Sequence, residues 1–181
     1  IYTVTLTAEN GTVTGSGEYN HGTEVTLTAT PNTGYHFVKW SDGVTDATRT
    51  ITVTDNVTFT AKFAINVYKV TLMAENGTVT GAGEYNHGTE VTLTATPNTG
   101  YHFVKWSDGI TDATRTITVT DNVTLSAEFS IDTYQVVLIV DEERGRVVGS
   151  GTYKYGSTVT LVALANTHYH FVKWSDGDEN D

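Results

Sequence analysis

Apolar and polar residues alternate with a period of two along most of this chain, and threonine holds most of the polar places. Tyr2, Val4, Leu6 and Ala8 alternate with Thr3, Thr5 and Thr7; Val25, Leu27 and Ala29 with Glu24, Thr26, Thr28 and Thr30; Ile51 and Val53 with Thr50, Thr52 and Thr54; Val57, Phe59, Ala61 and Phe63 with Thr58, Thr60 and Lys62. Such a pattern predicts strands with one face in a core and the other in water. Threonine suits the wet face, since its branched carbon fits a pleated surface and its hydroxyl stays hydrated. No segment carries the 3.6-residue stripe of an amphipathic helix.

Turn residues fall between these runs. Asn10-Gly11 predicts a type I′ hairpin joining the first strand to a short second one at Thr12–Thr14. Pro31-Asn32-Thr33-Gly34 ends the third strand, Ser41-Asp42-Gly43 the fourth, and Asp55-Asn56 separates the last two. About six short strands per unit follow. The stretch from Gly15 to Gly22 is expected as an irregular loop, and Val44 to Thr48 has room for a single helical turn.

This unit is written almost three times. Tyr2–Phe63 recurs as Tyr68–Phe129 with differences only at Thr3/Lys69, Thr7/Met73, Ser16/Ala82, Val44/Ile110, Phe59/Leu125, Thr60/Ser126 and Lys62/Glu128, and a divergent third copy opens at Tyr134. The spacing exceeds that of solenoid repeats, which must stack to bury a core, so each unit is expected to be a small domain. The expected domains are residues 1–64, 67–130 and 133–181, joined by short connectors such as Ala64-Ile65-Asn66-Val67 and arranged as an extended rod on the order of 80 to 100 Å long. The third lacks the last two strands. Either it is a truncated domain, or the folding unit is permuted so that Arg49–Phe63 pairs with the following copy.

The most aromatic element is Tyr35-His36-Phe37-Val38-Lys39-Trp40, kept whole as Tyr169–Trp174 in the third copy. Strict alternation would set Trp40 opposite Tyr35 and Phe37, so a bulge near Lys39 is expected to turn the indole inward, where three aromatics give a small domain its core. The competing reading uses Trp40 and Tyr19, with Tyr85, Trp106, Tyr153 and Trp174 in the other copies, as sugar-stacking ligand-binding platforms whose repetition supplies avidity.

Composition narrows the function. The net charge is −11 with ten scattered Lys and Arg, which leaves no basic stripe for nucleic acid, and no apolar run reaches the length of a membrane span. The absence of cysteine excludes disulfides and thiolate chemistry. His21 and His36, with their copies His87 and His102, read as surface residues; His168 and His170 share a strand face but have no evident third zinc donor. Asp42, Asp46 and Asp55 match no calcium-loop spacing. No nucleophile elbow, phosphate cradle or acid/base pair stands out. Neither catalysis nor a catalytic residue, metal site or cofactor is expected.

The order Gly11-x-Val13, Gly15-x-Gly17-x-Tyr19-x-x-Gly22, Val25-Thr26-Leu27-Thr28-Ala29-x-Pro31, Gly34-Tyr35-x-Phe37-x-x-Trp40, Ile51-Thr52-Val53 and Ala61-x-Phe63 resembles the internalin B-repeat-like units, especially their divergent branch, found in tandem in large bacterial surface proteins. The resemblance covers copies one and two and what remains of copy three. It implies an all-β module, β-grasp-like or a small β-sandwich or roll, extracellular or displayed at the bacterial surface. The four-residue turn between the third and fourth strands leaves no room for the helix of a full β-grasp, so a purely β version is expected. Copy three departs by having Ala165 and His168 where Pro31 and Gly34 stand.

Near-identical serial copies point to spacing or multivalent contact, since one active site needs one set of residues. The expected function is a monomeric, non-enzymatic spacer or stalk that also takes part in adhesion, with a host or matrix protein or a glycan as partner. A carbohydrate-binding module and an accessory domain of a larger secreted enzyme are the rivals.

Overall fold

Seven strands, not six, form from residues 2–65. They are β1 (Tyr2–Ala8), β2 (Gly11–Thr14), β3 (Gly17–Tyr19), β4 (Thr23–Pro31), β5 (Tyr35–Trp40), β6 (Thr48–Val53) and β7 (Val57–Ile65). The structure, a computed structural model, describes residues 1–180. The added strand is β3, which lies inside the stretch expected as a loop. It pairs antiparallel with β1, Tyr2 opposite Tyr19. The expected helical turn is absent, and residues 44–47 run without helix to the start of β6.

Two sheets result. One has the order β3-β1-β7-β5 and the other β2-β4-β6. In the first, β1 and β7 are parallel, Val4 opposite Val57 through Ala8 opposite Ala61, while β5 runs antiparallel to β7. A central parallel pair flanked by antiparallel strands is the arrangement expected of a β-grasp sheet, and the all-β three-stranded sheet covers it in place of a helix. Strands β6 and β7 pair with β4, β1 and β5 of their own copy, so the first repeat is not permuted.

The Asn10-Gly11 turn does not make the expected hairpin. Strands β1 and β2 belong to different sheets, and the turn carries the chain from one to the other. Only Asn10 adopts a left-handed conformation, with φ 64°. Glycine at 11 is instead a matter of space, since a Cβ there would stand 2.5 Å from Cζ of Phe63.

The core lies between the sheets. Val4, Trp40 and Ala61 enter it from the first, and Val25, Leu27, Ala29 and Val53 from the second. The alternation read from the sequence selects these residues, as Val25, Leu27 and Ala29 are the buried positions of β4. On the outer faces threonine hydroxyls meet across strands, Thr7 with Thr60 at 2.8 Å and Thr26 with Thr50 at 3.4 Å.

The described residues group into two compact units. The first holds Ile1–Leu72, Thr80–Thr94 and Thr114–Leu125; the second holds Met73–Val79, Ala95–Ala113 and the chain from Ser126 onward. The second repeat contributes β8 (Val67–Ala74), β9 (Gly77–Thr80), β10 (Gly83–Asn86), β11 (Thr89–Pro97), β12 (Tyr101–Trp106), β13 (Thr114–Val119) and β14 (Val123–Ile131). Within the first unit β8 pairs β10 and β11 pairs β13, in the registers of the first repeat; within the second, β12 pairs β14.

Residues from 133 on, all in the second unit, form β15 (Thr133–Val136), β16 (Gly145–Val148), β17 (Gly151–Lys154) and β18 (Val162–Ala165). Two antiparallel pairs result, β15 with β17 and β16 with β18.

Candidate functional site

The aromatic strand β5 settles where the tryptophans go. Its register with β7 shifts between Phe37 and Lys39, a bulge that rotates the following residue by one face and seats Trp40 opposite Ala61. Trp40 is 0% exposed, its Nε1 donates to the carbonyl of Asp46 at 3.0 Å, and its ring lies 5.7 Å from that of Phe37. Trp106 repeats the arrangement at 0% exposure, donating to Asp112. Neither indole has an open face for a sugar ring. The bulge that gives the domain its core also removes its two best stacking groups.

The other candidates are committed to their own loops. Tyr19, Tyr85 and Tyr153 are half-buried and donate their hydroxyls to the carbonyls of Gly15, Gly81 and Gly149 at 3.2, 3.1 and 2.9 Å. Trp174 is half-buried and donates to Asn180. These six side chains sit one pair per copy, and in the first repeat Tyr19 packs against the core cluster that holds Trp40.

His168 lies outside any strand with φ 73°, so the shared strand face expected for His168 and His170 does not form. Among the described residues no three His, Asp or Glu side chains are placed to hold a metal ion.

The contacts that distinguish this chain lie where one copy meets the next. At the first junction the Asn66 N–H donates to the carbonyl of Gly34 at 2.8 Å, and the Asn66 carbonyl accepts from the His87 N–H at 2.8 Å. The Asn66 side chain is held from both sides: its Oδ1 accepts from Nδ1 of His36 at 2.8 Å, and its Nδ2 donates to the Tyr68 hydroxyl at 3.3 Å. The imidazole of His87 then covers Gly34 and stands 6.0 Å from the ring of Tyr68.

The second junction repeats the plan with different chemistry. Asp132 N–H donates to Gly100, the Asp132 carbonyl accepts from Tyr155, and Tyr155 covers Gly100. His102 Nδ1 donates to Asp132 Oδ1 at 2.7 Å, so an amide acceptor at the first junction is replaced by a carboxylate at the second.

Sequence reasoning passed over these residues. Asn66 was read as part of a connector, and His87 as a loop residue at the surface; the ring is half-buried against the preceding copy. A signal was present: a ring recurs at 21, 87 and 155, and glycine recurs at 34 and 100. Only the fold shows that the two series meet.

Arg49 lies 4.9 Å over the Phe59 ring and pairs with Asp42, and its hydrogen bond holds the Asp42 carboxyl below the usual carboxylate range.

The glycine and aromatic order, the paired sheets and the threefold recurrence now stand together with a match to the family described as the divergent InlB B-repeat domain, over residues 2–67, 68–133 and 135–181. The chain belongs to this B-repeat family. It is a family of repeat domains of bacterial surface proteins. The chain is also similar to a protein of Evansella cellulosilytica named as a membrane protein, 28% identical over 189 residues, which cover 97% of this chain and 28% of that protein. The B-repeat chain thus spans under a third of this relative. No solved structure matches it. Among its described residues, no helix is long and apolar enough to cross a membrane.

Proposed function

We propose that this chain is a non-enzymatic spacer segment of a bacterial protein displayed outside the cell, and that its repeats are locked to one another rather than strung on free linkers. The observation that carries this is the junction, built twice on one plan: a backbone bridge through Asn66 or Asp132, and a ring laid over Gly34 or Gly100. A free linker leaves its backbone groups to water. Here the linking residue has its N–H, carbonyl and side chain all engaged.

Family membership and the relative named as a membrane protein support display at a surface. Near duplication supports a role that gains from repetition rather than from one reaction centre.

Amide relaxation tests the lock. A common tumbling time for residues 2–63 and 80–94 is the expected result, and separate short times would overturn it. A glycan array and a panel of immobilised matrix proteins test the rest, because a plain spacer gives no saturable binding to either.

A further inference from the structure

The first repeat opens with β1 and closes with β7, and these two strands are direct neighbours. They run parallel, in register from Val4 opposite Val57 to Ala8 opposite Ala61. The chain enters β1 at its N-terminal end and leaves β7 at its C-terminal end, with only Asn66 between β7 and β8. Tension along the chain therefore draws β1 and β7 in opposite directions along one axis. Antiparallel strands in these places would be pulled from one end, and their ladder would open bond by bond. In the parallel arrangement the whole ladder is sheared at once, and its hydrogen bonds share the force.

Two further links join the same strands. The Thr3 N–H donates to Asn56 Oδ1 at 2.7 Å near one end of the register, and the Thr7 and Thr60 hydroxyls meet at 2.8 Å near the other. The second repeat keeps the first of these links, with the Lys69 N–H donating to Asn122 Oδ1 at 2.8 Å. Slippage between the strands is also costly. Since faces alternate along β1, a shift of one residue would turn Val4 outward and carry threonine into the core. Val4 and Ala61 are buried in one cluster with Leu27 and Val53 of the second sheet, so a sliding strand must leave the core as well as its ladder.

We propose that the β1–β7 pair is a mechanical clamp, by which the repeat resists tension applied through its two ends. The use of such a clamp rests on the spacer reading above, because a stalk that joins a cell to anything fixed transmits force along its length. Its geometry does not rest on the locked junctions, for the clamp lies inside one repeat. Forced unfolding is governed by the unfolding barrier rather than by equilibrium stability, so a domain small enough to be marginally stable can still hold under force.

The test compares two directions of pulling on the same fold. The chain has no cysteine, so attachment points can be placed at will. Ile1→Cys with Val67→Cys, at positions 82% and 55% exposed, loads β1 and β7 in shear. Thr3→Cys with Asp55→Cys, also exposed, grips the two strands at their common end and peels them apart. Exposed substitutions of this kind leave the fold intact. Each double variant of the full chain is stretched at one speed in a single-molecule force measurement. A rupture force several-fold higher in shear than in peeling is expected, with the first repeat released in a single step. Equal forces in the two geometries, or release of the repeat under shear in several small steps, would overturn the proposal. Either result would leave the spacer reading standing, whereas separate tumbling of the repeats would cancel the lock and leave the clamp untouched.

Discussion

The imidazole of His87 lies across Gly34, so close that a Cβ on the glycine would stand 2.6 Å from the ring's Cγ. Tyr155 meets Gly100 in the same way, at 2.5 Å from its own Cγ. The glycine is therefore a socket as well as a turn, with φ +81° at Gly34 and +80° at Gly100.

Gly34→Val separates these two roles when compared with Gly22→Val. Gly22 has nearly the same conformation, φ +82°, and nothing within 4 Å of its missing Cβ. Backbone strain alone should cost about 1–3 kcal/mol at Gly22. At Gly34 a steric penalty of about 1–3 kcal/mol adds to it, and the two repeats should tumble independently. Urea unfolding and amide relaxation read both effects. Equal losses in the two variants would show that the ring contact contributes nothing.

His87→Tyr should leave the first junction as stable as before or more so. Nδ1 of His87 is buried without a hydrogen-bond partner, and such an atom carries a desolvation cost of about 1–3 kcal/mol. Tyr155 fills the same place at the second junction and has no polar atom on that part of its ring. A fall in the urea midpoint would show that the imidazole is chosen for something other than its shape.

Trp40→Ala should cost about 3–5 kcal/mol, enough to unfold a domain of this size. The indole is fully buried and faces Ala61, so its removal opens a cavity that neighbouring strands cannot close. Loss of β dispersion in the amide spectrum of residues 2–65 is the readout. A cooperative, near-wild-type transition would contradict the assigned core.

Acid should weaken the first repeat through Asp42. Its carboxyl is held below the ordinary aspartate value of 3.8 chiefly by the hydrogen bond from Arg49. A group whose folded pKa is depressed contributes stability above its unfolded pKa, and that contribution is lost as pH falls through the folded value. Asp42→Asn should therefore flatten the pH dependence of stability below pH 3.8 and leave the neutral-pH slope alone. The effect is small because the pair is partly solvated. An unchanged acid limb in the variant would remove Asp42 from the account.

The strands of the first repeat other than β3, the buried set Val25, Leu27, Ala29 and Val53, and the bulge before Trp40 were legible from the period-two pattern. The bulge was legible because a buried tryptophan and strict alternation conflict, and only an inserted residue resolves them. The pairing partners were not legible. Asn10-Gly11 has the local signature of a hairpin, yet it links two sheets, since β3 takes the edge of β1 that β2 would have occupied. The sequence left Trp40 with two readings, core or stacking platform, with the bulge favouring the core, and the structure buries the indole completely.

Local chemistry thus determined element type, face and family, because alternation and turn residues act within a few positions of one another. The tertiary structure alone decided what those elements meet. Asn66 joins Gly34 to His87, and Tyr169–Trp174 leaves strand geometry that the same six letters hold at Tyr35–Trp40. A strand's hydrogen bonds and a ring's covering surface come from residues far along the chain, and no window of sequence contains them.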